Sequence, residues 1–460
     1  MEAIKAGISS RRTMPGDRLP SVRQQAKALG FSVSTVVEAY ERLVAEGIVR
    51  ARPGSGYYVC GLTAPLAMAD LAPKREREVD PLWIAKQALD SRDEILKPGC
   101  GWLPASWMFQ EGVRRALRSL ARTEGSRLAD YETTFGSSQL REILARRFAN
   151  HGIDARPNQI TLTDSGTHAI DLVCRFILQP GDTVLLDDPC YFNFHALLKA
   201  HRVEAVGIPY TPSGPDLKAF EKALKEHTPR LYITNSGVHN PTGAIISPAN
   251  AHQLLRLAED ANLTVVEDDI FADFEEVPAP RLSAFDGLRR VIQIGSFSKT
   301  LSASLRCGYI ATNQDWIENI VDLKIATSFG SNRLSGEFVA LALADGSYRK
   351  HMDLVRRRLG TLRLAVTQQL NALGFKPWIQ PTAGMFLWCH VPDGHDAATL
   401  AKLCLKDNVV LAPGNAFSSS SSANGFMRFN VAQCTDQRIF QALKHAIDQC
   451  ARSPSLPAAG

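Results

Sequence analysis

Four apolar runs of the sequence each lead into a short polar segment whose side chains could do chemistry. The run ITLTD precedes Ser165-Gly166-Thr167, and RLYITNSGV precedes His239-Asn240-Pro241-Thr242-Gly243. The run LTVV precedes Glu267-Asp268-Asp269, and RVIQI precedes the GSFSK segment that ends at Lys299. Small residues at the start of a helix bind phosphate through their backbone N–H groups. The other three segments supply an amide, a carboxylate and an amine.

One cofactor fits this set of groups, and two others lack their signatures. A nicotinamide-binding fold needs G-x-G-x-x-G after its first strand, and the sequence has none. A P-loop needs glycine before Lys-[Ser/Thr], and Ser298 stands there instead. Pyridoxal phosphate needs a lysine for a Schiff base, an aspartate for its pyridine nitrogen and donors for its phosphate. The pattern therefore favours pyridoxal phosphate.

The elements that must position these groups alternate along the chain from about residue 98. Strand candidates are ITLTDS, TVLLDD, RLYITNS, LTVVEDD and RVIQIGS, and helix candidates between them include AIDLVCRFIL and NAHQLLRLAEDA. Such alternation predicts an α/β fold with a mostly parallel sheet. Ligands of such sheets bind beyond the carboxyl ends of the strands. We therefore expect the four polar segments to meet at one edge of the sheet.

The first 60 residues have the pattern of a separate small unit. Ser21 and Gln24 form a capping box that starts a helix, and a second helix follows the break at residues 30–32. The run IVRARPGSGYYV predicts a hairpin. Together these elements are typical of a winged helix-turn-helix, whose second helix enters the major groove of DNA. The predicted buried positions are Val22, Ala26 and Leu29 in the first helix and Val36, Tyr40, Leu43 and Val44 in the second.

Positive charge is concentrated in the same unit. Residues 1–60 contain nine Lys and Arg against five Asp and Glu, which accounts for four of the chain's five net positive charges. This excess favours a polyanionic partner, with chance in a small segment as the alternative. The alternative to a DNA-binding module is a helical hairpin that only contacts another protein. Short side chains at the start of the second helix would reach base edges, and the arginines of the wing would reach phosphate or the minor groove. The predicted DNA contacts are Arg23, Ser32, Ser34, Thr35, Arg42, Arg50 and Arg52.

The composition is that of an ordinary globular chain. Of the 460 residues, 45% are hydrophobic and 22% charged, which excludes wholesale disorder. The apolar run Phe338–Ala344 is too short to span a membrane, and the N-terminus lacks the apolar core of a secretory signal. Nine scattered cysteines without a CxxC pair predict reduced thiols and no metal site. We therefore expect a soluble, cytoplasmic protein.

Two resemblances extend these predictions. The segment GDRLPSVRQQAKALGFSVSTVVEAYERLVAEGIVRARPGSGYYV resembles the DNA-binding head of the GntR family. About a dozen residues precede PGDRLP, so the usual first helix is expected to be short, or the native start to lie upstream. Residues from about 95 to 450 resemble a fold-type I, class I aminotransferase, with a large domain and a smaller C-terminal α+β domain. The whole chain thus resembles the MocR subgroup of GntR regulators, which implies a homodimer on double-stranded operator DNA.

The motifs GSFSK, VVEDD, HNPTG, DSGTH, DDPCY and GFMRFNVA carry the second resemblance. It implies that Lys299 forms the Schiff base with pyridoxal phosphate and that Asp268, with Asp269 as its rival, pairs with the pyridine nitrogen. Arg428 would bind the α-carboxylate of an amino acid. Tyr131, in the motif YxxxxGxxxLR, would reach the phosphate of the partner subunit. The remaining implied cofactor ligands are Ser165, Gly166, Thr167, Tyr191, Asn240, Ser296, Ser298 and Arg306.

One departure from the aminotransferase pattern bears on activity. Those enzymes have a tyrosine two or three residues after the pyridine aspartate, where this sequence has Ile270 and Phe271. Neither side chain donates a hydrogen bond, so we expect cofactor binding with weak transamination. Three functions remain open: a regulator that senses pyridoxal phosphate or an amino compound, a working aminotransferase with a vestigial head, and a sensor of the cofactor alone. Arg428 disfavours the third, and the missing tyrosine disfavours the second.

The predicted domain boundaries follow from these patterns. We expect the head in residues 1–60 and a linker in residues 61–80, where Pro, Ala and the charge run KREREVD replace any apolar periodicity. The aminotransferase-like domain should occupy residues 81–450, with its small subdomain at about 330–450. Residues 451–460, rich in Ser, Pro and Ala, should form a disordered tail.

Overall fold

The computed structural model describes residues 4, 5, 13, 17–60, 86, 89, 94–122, 125, 129–344 and 346–452. The chain forms two compact units, Met1–Arg77 and Glu78–Gly460. The predicted linker lies outside the described residues, and so does the predicted tail beyond residue 452. Ala451 and Arg452, where we expected that tail to begin, belong to the last helix. No helix among the described residues is both long and apolar enough to cross a membrane.

The smaller unit is a winged helix-turn-helix, as predicted. Its helices are α1, Val22–Leu29, and α2, Val33–Ala45; its wing consists of strands β1, Val49–Arg52, and β2, Gly56–Val59, which pair antiparallel. The predicted capping box forms at the start of α1, where Gln24 N–H donates to Ser21 Oγ over 3.3 Å. Gly30 ends this helix with a φ of 70°, which glycine adopts without strain.

Two of the predicted buried positions in this unit are wrong. Leu29 is 50% exposed and Val44 is 36% exposed. Leu29 ends a helix of only two turns, and Val44 is turned about 100° from Leu43, which belongs to the buried face. Tyr40 lies at the centre of the small core, and its hydroxyl donates to the carbonyl of Pro20 over 2.9 Å.

The larger unit is built on an eight-stranded sheet with the order β3-β10-β9-β8-β7-β4-β5-β6. All neighbouring strands from β9 to β5 in this order are parallel, whereas β10 and the edge strand β6 pair antiparallel. All five predicted strands are present, and the mostly parallel sheet is confirmed. The strands are β3 Ile160–Thr163, β4 Thr183–Asp188, β5 Glu204–Thr211, β6 Gly214–Pro215, β7 Leu231–Thr234, β8 Thr264–Asp268, β9 Val291–Ser296 and β10 Gly308–Ala311.

Alternate residues of the central strands pack against helices on opposite faces of this sheet. Val266 and Ile292 belong to a buried cluster that includes α5, whereas Val265 and Val291 belong to a cluster that includes α7 and α8. Because both faces are covered, the strands are apolar throughout, as is usual for parallel sheets. The described helices up to β10 are α3 Gln110–Leu120, α4 Ser138–Ala149, α5 Gly166–Ile177, α6 Phe192–Ala200, α7 Leu217–His227, α8 Pro248–Asp260 and α9 Leu282–Asp286.

A second, antiparallel sheet with the order β11-β12-β14-β13 lies in the C-terminal part of this unit. Residues near the N-terminal end of the described part of the larger unit contact the C-terminal part. Leu96 pairs with Val409, and Asn430 N–H of β14 donates to the carbonyl of Pro98 over 2.7 Å. The remaining elements are α10 Gln314–Ser328, α11 Arg333–Ala344, α12 Ser347–Ala372, β11 Lys376–Pro377, β12 Phe386–His390, α13 Ala397–Lys406, β13 Ala412–Pro413, β14 Phe426–Asn430 and α14 Gln437–Arg452.

Candidate functional site

One cavity of the larger unit lies at the carboxyl ends of strands of the large sheet. The residues that we expected to bind the cofactor or its ligand all line it, except Tyr131. They come from the ends of β3, β4, β7, β8 and β9 and from strand β14 of the second sheet. The predicted residues that line the cavity are Ser165, Gly166, Thr167, Tyr191, Asn240, Asp268, Ser296, Ser298, Lys299, Arg306 and Arg428.

One wall of the cavity has the composition of an anion site. Ser165 is the N-cap of α5, and its hydroxyl accepts from His168 N–H over 3.0 Å. A β-carbon on Gly166 would lie 3.9 Å from Ser296 Cβ, so the start of α5 and the end of β9 face each other. Arg306 lines the same cavity after a short turn. A helix N-terminus, hydroxyl groups and a guanidinium are the donors that a phosphate group requires.

The two neighbouring acids at the end of β8 have different surroundings. Asp269 accepts hydrogen bonds from Arg281 Nε and Gln293 Nε2, each over 2.9 Å. Asp268 lines the cavity instead, and its Oδ1 accepts from Ile270 N–H over 3.2 Å. Burial raises the pKa of Asp268 to about 7. Because only Asp268 is directed at the cavity without a guanidinium partner, the geometry favours it over Asp269 as the partner of a ring nitrogen.

Lys299 lines the cavity a few residues beyond the end of β9. Burial lowers the pKa of its amine to about 8. A lysine with a lowered pKa is neutral more often near pH 7, and the neutral amine is the nucleophile that attacks a carbonyl. The position and the basicity of Lys299 therefore suit a covalent bond to a carbonyl compound.

Arg428 is buried in the cavity wall without an acidic partner. It is 1% exposed, and among the described residues no carboxylate lies within ion-pairing distance. Its guanidinium donates to Asn240 Oδ1 over 2.8 Å and to the carbonyl of Gly99 over 2.7 Å, while its Nε has no hydrogen-bond partner. The rings of Phe386 and Phe417 lie 4.4 and 4.7 Å from its central carbon. A buried cation without an anion is costly, so this arrangement favours an anionic ligand.

The two positions where aminotransferases have a tyrosine also line the cavity. Ile270 and Phe271 both face it, and Phe271 is buried with its ring edge-on to Phe386 at 5.4 Å. The Phe386 ring in turn stacks on Arg428. Two apolar side chains thus occupy the region where a hydroxyl donor is usual in aminotransferases, which agrees with the expected weak transamination but does not test it.

Sequence reasoning missed several residues that line the cavity. Asn235 follows β7, and its amide donates to the backbone carbonyl of Asp268 over 2.8 Å; its place after a strand was a usable signal. Gly101 and Trp102 come from a segment without apolar periodicity, and only tertiary contacts bring them here. The missed residues are Gly101, Trp102, Ile170, Phe192 and Asn235.

Tyr131 lies outside the cavity, on the surface of the unit. Its side chain is 79% exposed and packs edge-on against Phe329, which is 70% exposed, with ring centroids 5.2 Å apart. Arg333 donates to the backbone carbonyl of Tyr131 over 3.2 Å. Since the predicted role of Tyr131 concerns a partner subunit, this role stays a prediction.

All seven predicted DNA contacts are exposed on the smaller unit. Ser32 is the N-cap of α2, where its hydroxyl accepts from Thr35 N–H over 3.1 Å. Arg42 is paired with Glu38 over 2.7 Å, and the guanidinium of Arg52 lies 4.5 Å from the ring centroid of Tyr58. The remaining three, Arg23, Ser34 and Arg50, are also accessible. Their contact with DNA stays a prediction.

Comparison with known proteins relates both units to described families. Residues 108–445 match the family model described as aminotransferase class I and II, and residues 1–59 match that of bacterial regulatory proteins, gntR family. The chain is 30% identical over 452 residues to the uncharacterized HTH-type transcriptional regulator YdcR of Escherichia coli, with 96% of each chain covered. It is 26% identical to the HTH-type transcriptional regulator NorG of Staphylococcus aureus, with 93% of this chain and 98% of NorG covered.

Two solved structures resemble the chain in fold. Alpha-aminoadipate aminotransferase LysN of Thermus thermophilus has a TM-score of 0.71 and 25% identity, covering 80% of this chain and 98% of LysN. Kynurenine aminotransferase of Pyrococcus horikoshii has a TM-score of 0.73 and 25% identity, covering 85% of this chain and all of the enzyme. The predicted fold of the larger unit is thereby confirmed.

Proposed function

The chain belongs to the HTH-type transcriptional regulators of MocR architecture, and we propose that pyridoxal phosphate and an amino compound control how it binds DNA. Its head is of the gntR type, which implies DNA binding, and the rest of the chain is an aminotransferase class I and II domain. The cofactor, the amino compound, a homodimeric assembly and the domain boundaries given above are parts of this proposal. The exposed aromatic pair Tyr131 and Phe329 supports a contact with a second copy.

The donor set of the cavity supports pyridoxal phosphate as the cofactor. The LysN structure contains N-(5'-phosphopyridoxyl)-L-leucine, and its fold is the one found here. Bound in the cavity, the cofactor would supply an electron-withdrawing ring and a carbonyl group that reacts with amines. The start of α5, with Ser296, Ser298 and Arg306, would hold the phosphate, Tyr191 would cover the ring face, and Lys299 would form the covalent bond.

Two further residues would set the electronic state of the ring. Asp268 has a pKa raised to about 7 by burial, and it forms no ion pair with any described residue. A protonated ring nitrogen would give its carboxylate a cationic partner. The amide oxygen of Asn240 already accepts from Arg428, so the amide N–H₂ group remains to donate to the phenolic oxygen. Asn240 therefore connects the cofactor position to the arginine that would bind the ligand.

The observation that carries the proposal is the buried, unpaired guanidinium of Arg428 beside Lys299. Pyridoxal phosphate alone would give Arg428 no anion, because the start of α5 would hold its phosphate. An amino acid provides an amine, which would replace the Lys299 amine on the carbonyl carbon of the cofactor and leave Lys299 free, and a carboxylate for the arginine. A ligand with both groups therefore satisfies the site better than the cofactor alone.

Such a ligand would also bridge the two sheets of the unit. Arg428 is in β14 of the second sheet, whereas Lys299 and Asn240 follow strands of the large sheet. An effector changes DNA affinity only if it binds two arrangements of the protein with different free energies. A ligand that draws β14 and the large sheet together meets this requirement.

The proposal is tested by measuring DNA affinity with and without ligand. Full-length protein loaded with pyridoxal phosphate is titrated into labelled DNA from its own upstream region, at several concentrations of a mixture of the natural amino acids. We expect the apparent Kd to change at least about fivefold, the lower end of allosteric coupling. Arg428→Ala should remove this response and keep the cofactor. An unchanged Kd in the wild type would overturn the proposal and leave the cofactor sensor and the working aminotransferase as alternatives.

Arginines and short polar residues of the head are expected to affect DNA binding differently. Arg50→Ala or Arg52→Ala should weaken binding to all sequences and reduce the slope of log K against log salt by about one, since each removes one phosphate contact. Ser34→Ala or Thr35→Ala should instead alter the preference among sequences. Fluorescence anisotropy with specific and random duplexes at several salt concentrations distinguishes the two effects. Equal salt slopes for wild type and Arg52→Ala would contradict the assigned phosphate contact.

Phe271→Tyr is expected to lower the pH midpoint of the visible absorbance of the cofactor-loaded protein by about one to two units. The added hydroxyl would donate to the phenolic oxygen and stabilise its anion. A hydrogen bond to a charged group is worth about 1.5–3 kcal/mol, and one pKa unit corresponds to about 1.36 kcal/mol. The wild type should transaminate far below the roughly 10 per second of a typical enzyme.

Two variants accompany this measurement. Ile270→Tyr tests the other possible position, and Phe285→Tyr adds a hydroxyl at an exposed position outside the cavity, so it should leave the midpoint unchanged. The interpretation is wrong if neither Phe271→Tyr nor Ile270→Tyr lowers the midpoint. It is also wrong if the wild type transaminates amino acids at about 10 per second, which would favour the working-enzyme alternative.

A further inference from the structure

Outside the head, charge is unevenly distributed along the sequence. The chain has 52 Lys and Arg and 47 Asp and Glu, of which residues 1–60 contain nine and five, so the other 400 residues have a net charge of only +1. Within them, the stretches 110–127 and 345–358 contain ten Lys and Arg against four Asp and Glu. The rest of residues 61–460 is therefore net negative, and the larger unit contains two strongly basic stretches that are distant in sequence.

The two basic stretches are adjacent in the fold. The first contains α3, and the second contains the first half of α12. Arg115 of α3 donates to Ser347 Oγ of α12 over 2.6 Å. The ring of Phe109, just before α3, packs edge-on against that of Tyr348 in α12, with centroids 5.6 Å apart. The basic side chains of both helices therefore belong to one region of the surface.

The positively charged side chains of this region are exposed to solvent, and few of them are paired. The acids of α3 and of the first half of α12 are Glu111 and Asp353, which pair with Arg114 and Arg356. The exposed cations form what we call the basic surface, which consists of Arg114, Arg115, Arg118, Arg122, Arg349, Lys350, Arg357 and Arg358. Apart from Arg114 and Arg115, none of these eight has an ion pair with another described residue. Most of the positive charge of the basic surface is therefore available to a ligand.

The basic surface presents its cations at fixed and repeating positions. The guanidinium of Arg358 lies 3.6 Å from the centroid of the Trp107 ring. A guanidinium stacked on a ring keeps the N–H donors at its edge free to bind an anion. Lys350 and Arg357 are seven residues apart in α12, so they lie on the same side of the helix with a separation of about 10 Å along its axis. Cations that repeat along a helix suit a linear polyanion rather than a single small anion.

The composition of the basic surface disfavours a protein as its partner. A symmetric contact with a second copy through this surface would place cations against cations, which repel. Its exposed apolar side chains are Leu117 and Leu354, which stand among the cations, whereas a stable protein interface has a contiguous apolar centre. A phosphate backbone needs no apolar centre, and arginine binds phosphate with two parallel hydrogen bonds.

The head of the same chain supplies a reason for DNA to be present. The head is of the gntR type, which implies DNA binding. DNA bound by the head is held at a high effective concentration near the rest of the chain, because the two units are covalently linked. Under that condition even weak phosphate contacts, which do not depend on sequence, add to the total affinity.

We propose that the basic surface of the larger unit binds the phosphate backbone of double-stranded DNA next to the operator. The inference rests on the proposed function, because the head must first bind the operator. It gives the larger unit a second role beside the binding of a ligand, namely a DNA contact that is independent of base sequence.

The test compares two duplexes by fluorescence anisotropy, using full-length protein loaded with pyridoxal phosphate. One is the shortest upstream duplex that retains sequence-specific binding, and the other has about 20 base pairs of random sequence added at each end, enough to offer further phosphates. We expect the wild type to bind the longer duplex more tightly. If three phosphates are contacted, this advantage should fall about 40-fold between about 50 and 200 mM salt, since each contributes about 0.9 to the slope of log K against log salt.

A triple variant removes cations of the basic surface that have no ion pair with a described residue. Combined Arg118→Gln, Arg122→Gln and Arg357→Gln should reduce the salt slope on the longer duplex by about two to three for each bound chain. Binding to the shorter duplex should not change. If the triple variant does not fold, the single variants Arg118→Gln and Arg357→Gln should each reduce the slope on the longer duplex by about one.

A matched control removes the same charge elsewhere in the larger unit. Lys218, Arg256 and Lys402 are exposed residues of α7, α8 and α13. Combined Lys218→Gln, Arg256→Gln and Lys402→Gln should leave the affinity and the salt slope unchanged on both duplexes. Melting temperature and visible absorption with the cofactor show whether each variant is folded.

The outcomes separate this inference from the proposed function. If wild type and the folded Arg118, Arg122 and Arg357 variants bind both duplexes with the same affinities and slopes, the basic surface does not bind DNA, and an acidic protein becomes the alternative partner. An equal loss in the control variant would also overturn the inference, because net charge rather than this surface would then be responsible. In both cases binding of the shorter duplex leaves the proposed function intact. If the wild type binds no upstream duplex specifically, the proposed function fails, and the inference fails with it.

Discussion

Lys299→Ala is expected to abolish covalent attachment of pyridoxal phosphate to the protein. Lys299 lines the cavity, and burial lowers the pKa of its amine to about 8, so a neutral nucleophile is available near neutral pH. Wild-type protein treated with the cofactor and then borohydride should carry a stable adduct on the peptide that contains Lys299. The variant should carry none. Mass spectrometry of the digested protein measures both results.

A second lysine of the same chain serves as the matched control. Burial also lowers the pKa of Lys324 to about 8, but its ammonium donates to Thr161 Oγ1 and Ser331 Oγ and it does not line the cavity. The Lys324 peptide should therefore remain unlabelled in both proteins. The rate of attachment at Lys299 should rise with pH through about 8 and level off roughly one unit higher, because the amine is half deprotonated at its pKa and almost fully deprotonated above that range. An adduct that persists elsewhere in Lys299→Ala would refute the assignment.

Removal of the head is expected to abolish specific DNA binding. The exposed arginines and the recognition helix all lie in residues 1–60, and specific binding by such modules exceeds nonspecific binding by about 1,000-fold or more. A chain that starts at residue 78, the first residue of the larger compact unit, should show no specific shift of upstream DNA in an electrophoretic assay. Anisotropy measurements give the loss of affinity.

The shortened chain should still bind the cofactor, since the cavity lies wholly in the larger unit. Its visible absorption with pyridoxal phosphate and its melting temperature provide the control for correct folding. Unchanged affinity of a folded, cofactor-bound short chain for the same DNA would show that the head does not bind the operator.

The strand-end residues of the cavity were predictable because the periodicity of the chain reveals parallel strands. Once Asp268 and Lys299 follow such strands, the topology of a parallel sheet brings them to the same edge. No comparable signal exists for Trp102, which reaches the cavity through backbone contacts with Asn430 and Gln433, distant in sequence. The local sequence pattern predicts the strands, but it does not predict contacts with residues of the second sheet that are distant in sequence.

The sequence favoured Asp268 over Asp269 only through the resemblance, and the structure adds a physical reason, because Asp269 pairs with Arg281. Both are acidic and adjacent, and the sequence does not indicate which one Arg281 would pair with. The wrong prediction that Leu29 is buried also arose because a sequence pattern does not show which residues pack together. Periodicity identifies the apolar positions of a helix, but whether a neighbouring element covers the last of them depends on packing that the pattern does not include.

The hydrogen bonds between residues 98–102 and strand β14 have a consequence for how a bound ligand could affect the rest of the unit. Asn430 holds Pro98 through its backbone and Trp102 through its side chain, and Arg428, two residues earlier in β14, holds the carbonyl of Gly99. Three residues at the N-terminal side of the described part of the larger unit are thus hydrogen-bonded to the strand that would bind the ligand. We therefore expect any displacement of β14 on ligand binding to move these three residues with it.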